Sequence, residues 1–183
     1  MALKATIFKA ELQIADMDRN YYATHALTLA QHPSETDERM MIRVLAFARH
    51  ASDSLAFTKG LSTDDEPDLW QKDLTGTVEL WIELGQPDEK RIRKACGRAR
   101  QVIVYCHSGH SAELWWQKSR DKLERFDNLT VINLPADACQ ALGKLAQRNM
   151  QLQCTLQDGQ LWLSNAADSV TIEPVMWKQA GNP

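Results

Sequence analysis

The 183-residue chain lacks any run of roughly 18 apolar residues, the length that crosses a bilayer as a helix, so no membrane helix is expected. Its opening, Met-Ala-Leu-Lys-Ala-Thr-Ile-Phe-Lys, has no hydrophobic signal core and no cleavage site, which predicts a cytoplasmic protein. Cysteine is sparse. Cys96, Cys106, Cys139 and Cys154 are widely spaced, and three of them sit in apolar runs, so reduced core thiols are expected rather than disulfides. Charge of one sign is also scarce: the net charge of -3 argues against a nonspecific coat for nucleic acid. There is no Gly-x-Gly-x-x-Gly, no P-loop and no Gly-x-Ser-x-Gly, which disfavours nucleotide-dependent transfer and serine hydrolysis. Repeats, low-complexity tracts and long linkers are absent, so residues 1–183 read as one continuous domain.

Hydrophobic residues make up 44% of the chain, enough to close a core at this length. Residues 3–15 alternate, with Phe8, Ala10, Leu12 and Ile14 on one face, and predict a strand that turns at Asp16–Asn20 into a return strand at 21–31. Ser34 with Asp37 reads as a capping box for a helix to about Ser52, with Met41, Val44, Leu45 and Ala48 inward and Glu38 one turn upstream on the same stripe. A short strand at 55–59, an acidic loop Asp64-Asp65-Glu66-Pro67, and two strands at 68–74 and 77–84 around Thr75-Gly76 follow. Pro87 and Asp88 open a helix with the stripe Ile92, Ala95, Cys96 and Ala99. Val102–Cys106 has no polar interruption, as in a strand covered on both faces. A helix at 111–125, a strand at 129–134 and a helix at 136–147 continue a β-α-β alternation. Asp158-Gly159 predicts a hairpin between Leu152–Leu156 and Leu161–Leu163, and 170–177 a last strand. The fold class expected is α/β, a mixed sheet flanked by helices with antiparallel hairpins added at both ends.

The hairpin at 68–84 is where chemistry is expected. With its turn near Thr75, residues whose numbers sum to about 150 face each other, which sets Asp68 opposite Ile82 and beside Glu83. Glu79, Trp81 and Glu83 take one face of their strand, Val78, Leu80, Ile82 and Leu84 the other. Glu83 ends a strand just before a helix, a common ligand position in α/β proteins. Asp68, Glu83 and, if its helix packs there, Glu38 are oxygen donors suited to a hard divalent cation such as Mg²⁺, which takes one or two carboxylates, waters and phosphate oxygens. The alternative is structural: Asp68 ends a loop, and Glu83 pairs with Arg91.

The stretches Pro33-Ser34-Glu35-Thr36 with Glu38-Arg39-Met40-Met41, Asp65-Glu66-Pro67, Trp81-Ile82-Glu83-Leu84-Gly85, Pro87-Asp88-Glu89 and Lys94-Ala95-Cys96 resemble the YaeQ family of small bacterial proteins. The likeness extends to Ala2-Leu3-Lys4-Ala5-Thr6 and to Asp158-Gly159 with Trp162-Leu163-Ser164, and so covers essentially the whole chain. The resemblance implies a core like that of PD-(D/E)XK nucleases, the restriction-endonuclease-like fold, here at about 38–106. In that core an Asp and a (D/E)-x-K pair meet over a divalent metal. Asp68 then matches the first metal carboxylate, Glu83 the second, and Glu38 the helix acid, with Mg²⁺ or Mn²⁺ as the implied ion. The motif's lysine position is Gly85. Gln86, next to it, could orient a water but not act as a base. Lys59, Lys90 and Lys94 are candidates for a migrated amine, although Lys90 and Lys94 fall opposite the apolar stripe of their helix. The family has also been linked to transcription elongation, which implies a catalytically inactive domain binding nucleic acid or a protein of that machinery.

Residues 90–100 carry six basic side chains and no acid, while the rest of the chain sums to -9. Lys90, Arg91 and Lys94 could therefore seat a phosphate backbone, or the stretch could be an ordinary solvated face. His107 and His110, which could ligate a metal with Cys106, read instead as polar surface at a strand-to-helix loop. Asp64-Asp65-Glu66 lacks the order of a calcium loop. Trp115 and Trp116 should face different directions, with Trp115 in the core.

Overall fold

The computed structural model describes residues 4–59 and 65–181. Leu3 of the first expected strand, the family-like Ala2-Leu3 and Asp64 of the acidic loop lie outside the described residues. The elements, in order, are β1 (Thr6–Asp16), β2 (Tyr21–Gln31), α1 (Asp37–His50), β3 (Leu55–Phe57), β4 (Leu69–Lys72), β5 (Val78–Leu84), α2 (Glu89–Arg98) and β6 (Ala99–Cys106). They continue with α3 (His110–Leu123), β7 (Leu129–Asn133), α4 (Ala136–Gly143), β8 (Asn149–Gln157), β9 (Gln160–Ser164), β10 (Ser169–Ile172) and β11 (Val175–Lys178). The architecture is mixed α/β, with two mixed sheets and four helices among the described residues. The chain divides into two compact units, residues 1–51 with 137–173, and 52–136 with 174–183.

In the first unit the strand order is β10-β9-β8-β1-β2. Phe8, Ala10, Leu12 and Ile14 are buried on β1 as their alternation requires. The β8–β9 turn has Asp158 and Gly159 both at positive φ (53° and 78°), the pairing that matches the twist of a two-residue hairpin. The hairpins expected at the two chain ends meet in this one sheet, because β1 runs parallel to β8 from Lys9 beside Asn149 to Asp16 beside Leu156. The Asp18 carboxylate ties the two turns together by accepting from the backbone N–H of Asp158 (2.7 Å) and Gly159 (2.9 Å).

The start of α1 differs from the expected capping box. Thr36 is the cap, its hydroxyl accepting from Arg39 N (3.1 Å), while Ser34 bonds the His32 ring instead (2.7 Å). That two-residue shift leaves Glu35 buried, where Arg39 and Arg43 reach it at 2.9 and 2.6 Å. Nor does α1 show only a stripe: every residue from Met40 to Ala48 is buried, including Arg43. Helix α4 stops at Gly143 rather than 147; a Cβ there would lie 3.1 Å from the Cα of Glu38, so glycine is what permits this approach of α4 to α1.

In the second unit the order is β11-β7-β6-β5-β4-β3, with β5, β6 and β7 parallel. Val102 to Cys106 on β6 are all buried, as an uninterrupted apolar run demands. The strand expected at 170–177 is two strands in two sheets, because Pro174 between β10 and β11 has no N–H for a ladder. Strand β3 ends at Phe57 and β4 covers only 69–72. Helix α2 is capped by Asp88, which accepts from Arg91 N (2.8 Å), and buries Ile92 and Ala95; Cys96 is half-buried and Ala99 already belongs to β6. All four cysteines are free thiols. Trp115 is half-buried rather than core, its indole N–H donating to Pro87 O at 3.1 Å, and it meets Trp116 with ring centroids 6.2 Å apart.

Candidate functional site

Strands β4 and β5 pair with Leu69 opposite Ile82 and Lys72 opposite Val78, with a register irregularity between Gln71 and Lys72. The sum over the upper pairs is thus one larger than the even turn geometry predicts, and the extra residue moves Asp68 towards Glu83. Asp68 N donates to Ile82 O (3.0 Å), and the Asp68 carboxylate accepts from Leu84 N (2.8 Å). Pro67 O accepts from the Thr58 hydroxyl, and Asp68 O accepts from Thr58 N (3.2 Å), which holds the approach to Asp68 from the β3 side. Both acids are nearly sealed, Asp68 at 5% and Glu83 at 6% exposure.

Glu83 shares a face of β5 with Trp81, whose indole N–H donates to its Oε1 at 3.1 Å. Arg91, one turn into α2, grips it from the other side: Nε lies 2.8 and 2.9 Å from the two carboxylate oxygens and Nη2 2.7 Å from Oε1. The same Nη2 donates to Glu66 O at 2.8 Å. Burial pushes the Glu83 carboxyl above the usual carboxylate range; Asp68 adds to this by repulsion, while Arg91 and the Trp81 N–H pull it back. The two carboxylates are therefore neighbours electrically as well as in space.

That donor set fits a hard divalent cation by its chemistry, since it is carboxylate oxygen and largely desolvated. Arg91 is the competitor for the same oxygens. No group of three His, Cys, Asp or Glu side chains arranged for a metal occurs among the described residues, so a cation would rest on Asp68 and Glu83 with waters or phosphate completing it.

Position 85, where the resemblance would place a lysine, is a glycine held in a turn. Its φ is +109°, a conformation side-chain-bearing residues rarely adopt, and its N–H donates to Tyr105 O at 2.8 Å, fixing the turn out of β5. The cation that meets Glu83 is a guanidinium and not an amine. Gln86 is exposed and bonds Ser111 Oγ at 3.1 Å. Lys59, Lys90 and Lys94 are exposed; Lys94 pairs with Asp65 at 2.6 Å. Other basic residues of the 90–100 stretch also have acidic or aromatic company: Arg93 reaches Glu89 at 3.0 Å, Arg98 lies over the Trp81 ring at 5.3 Å, and Arg100 stands 3.9 Å from Asp73. Glu38 is half-buried on α1 in the first unit, whereas Asp68 and Glu83 belong to the second. Cys106 is buried, its thiol pushed up to about 12, and His110 is exposed beside Glu113, as polar surface.

Arg91 was read from the sequence as a phosphate contact and as the pairing alternative for Glu83; the second is its geometry here. Sequence reasoning missed Asn133. It ends β7, beside Cys106 at the end of β6, and its Oδ1 is a buried side-chain oxygen without a hydrogen-bond partner among the described residues. The signal available was its position, the last residue of a parallel strand, where ligands gather in such sheets.

A family model described as YaeQ protein matches residues 1–174. "Uncharacterized protein YaeQ" of Salmonella typhi is 48% identical over 179 residues, spanning 98% of this chain and 99% of that protein. Its namesake in Escherichia coli (strain K12) is 45% identical over 179 residues, with the same coverage of 98% and 99%. Among solved structures, the YaeQ protein from Xanthomonas axonopodis pv. citri superposes with a TM-score of 0.93 at 55% identity, covering 96% of this chain and 99% of its own. The YaeQ protein from Pseudomonas syringae gives 0.92 at 31% identity, covering 96% and 97%.

Proposed function

The chain belongs to the YaeQ family, and within it we propose a divalent-metal-dependent, nuclease-like protein of the PD-(D/E)XK, restriction-endonuclease-like superfamily that hydrolyses phosphodiesters of nucleic acid in the cytoplasm. One observation carries the reading: Asp68 and Glu83 are buried side by side at the C-terminal end of β5, close enough that repulsion from Asp68 helps to raise the Glu83 carboxyl. Asp68 and Glu83 would hold Mg²⁺ or Mn²⁺, which when bound supplies charge for the scissile phosphate and acidifies a water. Leu84 N–H fixes the Asp68 carboxylate and Trp81 N–H orients Glu83. Lys90 and Lys94 on the exposed side of α2 would seat the phosphate backbone, with Arg91 joining them when it leaves Glu83. Gln86 would orient a water.

The test is Mg²⁺- and Mn²⁺-dependent cleavage of single- and double-stranded DNA and RNA by the parent, Asp68→Ala and Glu83→Ala. Cleavage that both substitutions abolish supports the site; equal cleavage by all three, or none by any, defeats it. A second reading has its own support. Arg91 on both oxygens of Glu83 and the positive φ of Gly85 favour a domain of the same fold without hydrolysis, which binds nucleic acid or a protein of the transcription machinery. Binding of nucleic acid in the absence of any cleavage would select it.

A further inference from the structure

Outside the acid pair, the second unit has a cavity of about 300 Å³ lined by Trp116, Arg120, Asp121, Glu124, Trp177 and Lys178. This is at the small end of the range of cavities that hold small molecules, roughly 300–1,000 Å³. Its apolar wall is an aromatic plate. Trp116 on α3 and Trp177 on β11 stack with planes 15° apart and centroids at 5.8 Å, and both indoles remain half-buried. Lys178 is anchored there, its ammonium donating to Phe126 O (2.8 Å) and Leu129 O (3.1 Å), which uses two of three hydrogens. The rim carries both signs, Arg120 with Asp121 and Glu124 on successive turns of α3 and beyond, and Arg120 and Asp121 are largely solvated at 64% and 89% side-chain exposure. A planar surface edged by hydrogen-bond donors and acceptors of both charges matches one ligand chemistry closely. Nucleobases stack through a flat π face and present amine donors and carbonyl or ring-nitrogen acceptors on their edges.

We propose that the Trp116–Trp177 cavity is a nucleobase-binding site. The indole plate stacks the base, Arg120 donates to its acceptor edge, Asp121 and Glu124 accept from its amine, and Lys178 offers its remaining hydrogen. The inference draws on the nucleic-acid reading only for its choice among flat polar ligands, and it holds whether or not Asp68 and Glu83 take a metal. If the base belongs to a single strand, the site selects unpaired nucleic acid, since a base in a duplex shows no free face.

The experiment uses the intact protein with EDTA present, so that failure of the metal site cannot affect it. Tryptophan fluorescence is followed while AMP, GMP, CMP, UMP, a ten-nucleotide single-stranded DNA and ribose 5-phosphate are titrated separately. The expected result is saturable quenching by at least one mononucleotide and none by ribose 5-phosphate, with the oligonucleotide binding more tightly if the natural ligand is a strand and no better if it is a free nucleotide. Trp177→Ala should weaken binding by about tenfold or more, Trp177→Phe should retain most of it, and Asp68→Ala should leave it unchanged. Arg120→Ala, at an exposed position outside the core, should weaken it several-fold. No saturable binding at millimolar concentrations, equal binding of ribose 5-phosphate, or parental affinity in both Trp177→Ala and Arg120→Ala would overturn the proposal.

Discussion

Two of the buried carboxylate clusters among the described residues, around Glu35 and around Glu83, are built differently. Around Glu35, one carboxylate meets two guanidiniums, Arg39 and Arg43, and the pair with Arg43 is sealed at 2% and 5% side-chain exposure. Around Glu83, two carboxylates meet one guanidinium, and that guanidinium is 28% exposed. The first is closed by a guanidinium that is itself buried. The second is closed by a guanidinium that remains partly solvated. A buried carboxylate alone does not mark a site; the balance of charge around it and the accessibility of its partner separate scaffold from chemistry.

Truncation at the sealed cluster should have the largest effect. Arg43→Ala leaves Glu35 buried with its best partner gone and is expected to cost about 3–5 kcal/mol by chemical denaturation; a loss below about 1 kcal/mol would mean the cluster is not sealed. Next is Gly85→Lys, which places a lysine where the proposed reading expects one, at a positive φ, and should cost about 1–3 kcal/mol through the backbone alone, since no atom crowds a Cβ there. A variant as stable as the parent and faster in metal-dependent cleavage would break that account. Arg91→Ala should cost less than either, because Arg91 is partly solvated, and should tighten Mn²⁺ binding in calorimetry; unchanged Mn²⁺ affinity would count against the open-cluster reading. It should also steepen a pH dependence. The native Glu83 carboxyl holds its proton above the range where the unfolded one releases it, so stability falls as pH rises through that window, and removing Arg91 widens the window upward. The smallest effect belongs to the surface: Lys94→Ala breaks an exposed pair with Asp65 and should leave the melting temperature unchanged within error.

Much of this was legible in the sequence where the signal was local. Alternation placed β1, the uninterrupted run Val102–Cys106 placed β6, and Asp158-Gly159 placed a turn whose two positive φ values follow from those residue types. The meeting of Asp68 with Glu83 was legible to within one residue, the error being a register irregularity that no residue type announced. What escaped were contacts made between elements. Burial of Glu35 depends on two arginines a turn or two into the next helix, and on Thr36 winning the cap from Ser34. Arg91 was legible as the alternative partner of Glu83, but its second contact, to the Glu66 carbonyl, was not. The parallel seam between β1 and β8 has no turn to signal it, and the proline that splits 170–177 was visible but its division of two sheets was not.

That seam sets an order of events during synthesis. Arg148 and Ile7, hydrogen-bonded across it, are 141 positions apart, so the hairpin of β1 and β2 leaves the ribosome long before the strand that completes its sheet. Residues 52–136 emerge in the interval, with most of what their own unit needs. Chains grow at about 5–20 residues per second and long-range strand pairing is slow to repay its closure entropy. For several seconds of every round of translation the inner edge of β1 is therefore an open backbone ladder, and it is the first place to look when a variant aggregates without being destabilised.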